Sequence, residues 1–173
     1  STASGVFSGL LSNSGGGTLW VMRNGAGGTL FLTGLNTYTG PTVLSGSATL
    51  AVTNLANGGL PSGIGASSNA ASNLVFNGGT LQYTGSNASL VQLTQTPSIA
   101  IDRLFSLAGD AFLDSSGMFG NTQLAAGVSN GAALVFSNTG SVGFFGSGNR
   151  TLTLTGLSDG DNEVRASLGD NPN

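Results

Sequence analysis

Apolar and polar residues alternate in short bursts along this chain, and Gly, Asn or Ser closes almost every burst. The clearest case is residues 28–52. Two alternating runs, 29–33 and 49–52, flank a corner built from Asn36, Thr37, Tyr38, Thr39, Gly40 and Pro41, and a third short run, 42–44, follows that corner. The pattern predicts strand, turn, strand, turn, strand. A period of two puts Leu30 and Leu32 on one face and Thr29, Phe31 and Thr33 on the other. Such a unit is too short to bury its own apolar face. It needs a neighbour stacked on it, which is the logic of a solenoid.

The same reading extends along the chain. Strands are expected at 18–22, 73–76, 80–84, 89–94, 98–107, 111–114, 123–125, 133–137, 141–145 and 151–155, with a short alternating tail at 163–168. Residues 1–17 hold one apolar cluster, Val6-Phe7 with Leu10-Leu11, before a Gly run. Residues 54–73 are rich in Asn, Gly, Ser and Ala and read as a loop, with a weak helical turn at 66–71. Asn77-Gly78-Gly79 would mark a hairpin in isolation. In a solenoid it is a corner between two sides of one coil, and that reading is preferred here. About 14 short strands result. At roughly 20–25 residues per coil the chain forms about eight coils, a rod of roughly 35–40 Å. A two-sheet sandwich is the competing architecture. Leu30, Leu32, Leu50, Val52, Leu81, Leu134, Leu152 and Leu154 are expected to point inward and stack on like residues of adjacent coils.

Composition narrows the class. The chain has 173 residues, enough for one domain over 1–173, of which 30 are Gly, 39% are hydrophobic and only 6% are charged. A disordered chain would carry more charge and less apolar surface. A collagen would place Gly at every third position. What fits is an all-β protein with many turns. No Cys is present, so neither a disulfide framework nor a thiolate metal site exists. The net charge of −3 has the wrong sign for a nucleic-acid binder. No apolar run approaches the ~18 residues of a membrane-spanning helix. The chain starts at Ser1 without an initiator Met or signal peptide, and reads as a processed or excised segment whose ends pack on something.

The stretch GGTLFLTGLNTYTGPTVLSGSATLAV, residues 27–52, closely resembles the autotransporter-associated β-strand repeat of secreted passenger domains in Gram-negative autotransporters. The matching residues are Gly28-Thr29-Leu30, Leu32-Thr33-Gly34, Asn36-Thr37-Tyr38-Thr39-Gly40, Thr42 and Leu50-Ala51-Val52. NGGTLQYTG at 77–85 and RTLTLTG at 150–156 are similar to parts of the same passengers. The chain departs from the pattern at Pro41, where Gly is common, and lacks the carboxy-terminal membrane barrel of a complete autotransporter. The resemblance implies a right-handed parallel β-helix, secreted or at the cell surface of a Gram-negative bacterium. Absence of Cys suits passage through the outer membrane unfolded.

Candidate chemistry is sparse. Asp159, Asp161 and Glu163, with Asp170 nearby, resemble part of a Ca²⁺ loop, but the spacing matches neither an EF-hand nor the Gly-rich Ca²⁺ nonapeptide. A solvated turn is the plainer reading. Asp102, Arg103, Asp110 and Asp114 mimic the acid and Arg set of polysaccharide-cleaving β-helix enzymes, yet Asp102 and Arg103 point to opposite faces of a strand. Surface charges with local ion pairs are the plainer reading there too. With no His, a Ser-His-Asp triad is excluded, and with no Lys so is Ser-Lys chemistry. Trp20, Phe31, Tyr38 and Phe145 are candidates for outward aromatic faces that stack on sugars or partners, with core packing the plainer reading for at least half of them. Corner Asn residues are expected to form hydrogen-bonded ladders.

These readings lead to a non-catalytic extracellular structural or adhesive β-solenoid, without metal or other cofactor. Its expected partners are neighbouring repeats or further copies of itself, in a head-to-tail filament, and host or matrix glycans. The rival functions are a carbohydrate-binding adhesin module and a polysaccharide-active β-helix enzyme.

Overall fold

A computed structural model describes residues 4–85, 99–116, 133–158 and 161–170. These residues form three sheets in which every strand pairing is parallel. The first sheet stacks β1 (Gly5–Phe7), β3 (Thr29–Leu32), β5 (Thr49–Val52), β7 (Thr80–Tyr83), β10 (Ala111–Asp114) and β13 (Leu152–Thr155) in that order. The second stacks β2 (Val21–Gly25), β4 (Thr42–Gly46), β6 (Leu74–Asn77), β9 (Ser106–Leu107) and β12 (Gly143–Phe144). The third holds β8 (Ile99–Ile101), β11 (Leu134–Phe136) and β14 (Glu163–Val164). The chain runs from the first sheet to the second, passing through the third in the later coils, and returns. That path is a parallel β-helix.

Among the described residues the coils are fewer and longer than the expected eight of 20–25 residues. The first sheet has six strands, so its stack spans about 24 Å. One file runs Gly5–Leu30–Leu50–Leu81–Leu113–Leu154. Between neighbours in that file lie coils of very unequal length, because loops such as residues 54–73 are inserted at the corners. The expected strand at 98–107 is two strands with a corner at Asp102–Phe105 between them. The expected helical turn at 66–71 is a single 3₁₀ turn at Ala71–Asn73. The expected strands at 89–94 and 123–125 lie outside the described residues.

Asn77-Gly78-Gly79 is a corner, since β6 and β7 belong to different sheets. The corners of successive coils stack so closely that only Gly fits. Gly46 and Gly78 have φ of +68° and +97°, and a Cβ at Gly46 would come within 2.4 Å of the Gly25 carbonyl oxygen. Left-handed backbone and close approach act together here, and both favour glycine.

The interior is a set of files running along the axis. Leu32, Leu44, Leu50, Val52, Leu74, Leu81 and Ile101 are almost fully buried. Phe76, Phe105 and Phe136 stack edge to face along the middle of the core, with centroids 5.6 and 5.5 Å apart, a favoured geometry for aromatic pairs. Of the predicted inward residues, Leu154 is 60% exposed. Its register is inward all the same, because it pairs with the buried Leu113. It is exposed because β13 is the last strand of its sheet among the described residues. Leu30 and Leu152, also near the ends, are only partly buried.

Position along the axis should therefore decide the effect of equivalent truncations. Leu50→Ala, in the middle of the file, is expected to lower stability by about 2–5 kcal/mol. Leu154→Ala, in the same file, should change it by less than about 1 kcal/mol. Urea unfolding of the two variants measures the difference.

Candidate functional site

Arg103 lies where alternation puts it, facing inward between Ile101 and Phe105. All three side chains are buried. Surface charge is thus the wrong reading for Arg103, which is only 2% exposed. Its guanidinium donates to the carbonyls of Ala56 (2.8 Å), Ser67 (3.0 Å), Leu60 (3.3 Å) and Gly65 (2.9 Å), and to Ser67 Oγ (2.9 Å). A rigid fork of donors matches a ring of carbonyls that converge on one point of the loop. Burial lowers the Arg103 pKa, an effect opposed by the nearby Tyr38 and Asp102.

Asp102 faces the other way and holds the same loop from outside. Its carboxylate accepts from the Gly58 backbone N–H (2.7 Å) and from Asn69 Nδ2 (3.2 Å), while its own N–H donates to Asn57 Oδ1 (2.9 Å). Together Asp102 and Arg103 clamp the loop at 54–73. Neither presents its charge as a catalytic group.

The other acids are dispersed. Asp110 Oδ1 accepts from the Thr151 backbone N–H at 2.8 Å, joining the last two coils. Asp114 stands on the outer face of β10, where its carboxylate bonds Gln82 Nε2 (2.7 Å) and the Ser116 hydroxyl. Asp102, Asp110 and Asp114 are thus separately engaged and do not converge with Arg103 on one reacting position. At the carboxy-terminal coil Glu163 pairs with Arg165 at 2.8 Å, both half-exposed, and Asp161 and Asp170 are exposed. Asp159 lies outside the described residues. Among the described residues no three acidic, His or Cys side chains cluster as a metal site.

Among the four aromatic candidates, Tyr38 is a core residue. It is fully buried, its hydroxyl 2.7 Å from Thr42 Oγ1. Burial pushes its pKa up to about 12, against the smaller opposing effects of the Thr42 hydrogen bond and the Arg103 charge. Gly65, whose φ is +76°, leaves room for the ring, since a Cβ there would meet Tyr38 Cε2 at 2.7 Å. Phe31 is half-buried, whereas Trp20 is 66% and Phe145 47% exposed.

Corner Asn residues act by bridging to backbone rather than as a ladder of side chains. Asn36 is fully buried and joins three coils. Its Oδ1 accepts from Leu11 N–H (2.9 Å), its Nδ2 donates to the Gly63 carbonyl (3.2 Å), and its backbone bridges Ser62 in both directions. Asn138 Nδ2 donates to the Asp102 carbonyl and Asn162 Oδ1 accepts from Leu134 N–H.

A small cavity of about 50 Å³ opens at the carboxy-terminal coil, between the first and third sheets. Leu113, Leu154, Leu134 and Phe136 form its apolar walls, with Ser115, Asn162 and Glu163 at the rim.

Compared with known proteins, 124 residues, 70% of this chain, are 40% identical to the Adhesin BmaC autotransporter of Brucella suis biovar 1 (strain 1330). The similarity is to a segment of an autotransporter adhesin. The chain spans about 3% of that protein's length. No family profile matches the chain, and no solved structure matches it. No helix of the described residues is long and apolar enough to cross a membrane.

Two predictions follow from the buried polar groups. Arg103→Lys keeps the charge but loses the fork, so it should destabilise the protein by about 2–4 kcal/mol; limited proteolysis should then cut within 54–73 first. The second concerns alkali. The folded state holds the Tyr38 proton more tightly than the unfolded chain, whose phenol titrates near 10. Its contribution is fully present below pH 10 and is lost as pH rises towards 12, by about 2–3 kcal/mol. Denaturation midpoints measured across that range should fall in the native protein, and much less in Tyr38→Phe.

Proposed function

We propose that this chain is a non-catalytic β-solenoid segment of an autotransporter-like protein, secreted or at the surface of a Gram-negative bacterium. Its work is structural and adhesive. The observation that carries the reading is the 40% identity over 124 residues to an autotransporter adhesin. The fold agrees with it: a stack of parallel coils is an extended support on which outer faces repeat at about 4.8 Å. The fate of the catalytic candidates also supports it. Arg103 and Asp102 are committed to holding a loop, and neither His nor Lys occurs in the chain.

The residues at 28–52 serve as one repeat of an autotransporter passenger, and the whole of 1–173 works as a single unit. Copies stack head to tail through their open ends. The partners in adhesion are host or matrix glycans, met by exposed aromatic planes such as Trp20 and Phe145. No metal or other cofactor takes part: Asp161 is solvated, and Glu163 lies in β14 and pairs with Arg165.

Beads coated with the purified chain, passed over arrayed glycans and matrix proteins, test the adhesive role. Retention on a restricted set of ligands, weakened by Trp20→Ala, is expected. Reproducible turnover of an acidic polysaccharide by the chain would overturn the non-catalytic reading. A chelator should leave the melting temperature unchanged; a large fall would reinstate a Ca²⁺ site.

A further inference from the structure

Asn-Gly is the dipeptide most open to loss of its side-chain amide, because a Gly after the Asn leaves the backbone nitrogen unshielded by a side chain. That nitrogen attacks the Asn Cγ, and the five-membered imide that results opens with water. The chain carries Asn-Gly at 24–25, 57–58, 77–78 and 130–131, the last outside the described residues. The pair at 57–58 lies in the inserted loop at 54–73, where Asn57 and Gly59 are exposed and Gly59 has a φ of +85°. A bulkier residue at 58 would shield the nitrogen, but the packing has no room for one. A Cβ at Gly58 would sit 2.2 Å from the Asn69 backbone nitrogen.

Asp102 holds both reacting groups of this pair. Its Oδ1 accepts from the Gly58 N–H at 2.7 Å, and its own N–H donates to Asn57 Oδ1 at 2.9 Å. One residue, 45 positions along the chain from Asn57, thus grips the attacking nitrogen and the amide it would attack. A carboxylate is too weak a base to ionise a peptide N–H, and its negative charge opposes that ionisation. Asp102 is therefore an anchor that keeps the two groups apart. The pair at 77–78 is held differently. Its Gly78 N–H donates to the backbone carbonyl of Asp110 at 2.7 Å, a bond between coils that no side chain makes.

We propose that Asn57-Gly58 is a guarded modification site, kept intact by Asp102 while the loop is closed and deamidated once the loop opens. In the reaction the Gly58 nitrogen bonds to Asn57 Cγ, the Cγ–Nδ2 bond breaks, and the Gly58 proton leaves with that nitrogen as ammonia. Water then adds to either imide carbonyl, leaving aspartate or isoaspartate in place of Asn57. Either product sets a second carboxylate against that of Asp102, and like charges repel. Isoaspartate also adds a carbon to the main chain beside the Ala56 carbonyl, which Arg103 grips at 2.8 Å. The closed loop is then no longer recovered, so the site works in one direction. The proposal is independent of glycan adhesion.

The test is peptide mapping by mass spectrometry, with enzymatic detection of isoaspartate, on the 173-residue chain aged at mildly alkaline pH. It is run on the native chain, on Asp102→Ala and Asp102→Asn, and on the native chain in urea below and above its unfolding midpoint. Circular dichroism checks that each variant is folded. In the native fold Asn57 should convert at least about tenfold more slowly than in the unfolded chain. Asp102→Ala should remove most of that protection at Asn57 and leave Asn77 unchanged. Asp102→Asn keeps an acceptor oxygen and the N–H, and should stay close to native. Urea below the midpoint should release Asn57 before Asn77, a readout that needs no variant. Native Asn57 converting as fast as in the unfolded chain would overturn the guard. So would a folded Asp102→Ala that protects Asn57 fully, or equal acceleration at Asn57 and Asn77 in both Asp102→Ala and mild urea. Limited proteolysis of aged, converted chain and of Asn57→Asp checks the one-way step. Faster cutting within 54–73 than in the native chain is expected, and equal resistance would overturn that step.

Discussion

Each coil of this protein depends on the coil above and below it, because no coil closes a core of its own. A strand of four residues contributes two inward side chains, too little apolar area to offset the ordering of its backbone. Only when Leu30, Leu50, Leu81 and Leu113 lie directly over one another does the file become dry. Strict parallel register is what lines them up. A slip of one residue would send the Leu file outward and bring Thr29, Thr49 and Thr80 in.

The polar groups serve that register. Stacked Gly corners let successive turns come within contact distance at Gly25, Gly46 and Gly78. Asn36 ties backbone atoms of three coils, and Asp110 ties two. Arg103 does for an inserted loop what the ladders do for strands, tying several of its carbonyls to one side chain. A buried cation among neutral carbonyls is a narrow solution. It holds because five N–H groups in one plane find acceptors at once, and because Asp102 lies near enough to favour the charge.

Much of this was legible in the residues. The Thr-Leu alternation at 29–33, 49–52 and 80–84 located three strands of the first sheet and their inward faces. Asn77-Gly78-Gly79 was readable as a corner once a solenoid had been accepted. Coil number was not legible, since loop insertions such as 54–73 carry no period of their own. Leu154 shows a second limit: alternation gives the face of a side chain but not whether another coil covers it. Tyr38 and Arg103 show a third. Arg103 falls on the inward parity of Ile101 and Phe105, and that signal was available. A charged residue in a loop-like setting masks it, because the acceptors that make burial tolerable come from a segment about 40 residues away in the chain.

The same dependence on neighbours explains why the two ends differ from the middle. Burial rises from β1 to the central coils and falls again at β13, although the side-chain pattern hardly changes. An end coil therefore has native-like ladders on one side and exposed apolar files on the other. Soluble proteins normally blunt such edges with charge, Pro or a covering element. Here Arg23 and Arg150 fold back onto carbonyls of their own corners, Gly27 and Gly28 at one end and Phe145 at the other. That satisfies the corners, yet leaves the strand edges of β1 and β13 without a strand partner among the described residues. A further coil in matching register would pair those edges and continue the Leu and Phe files.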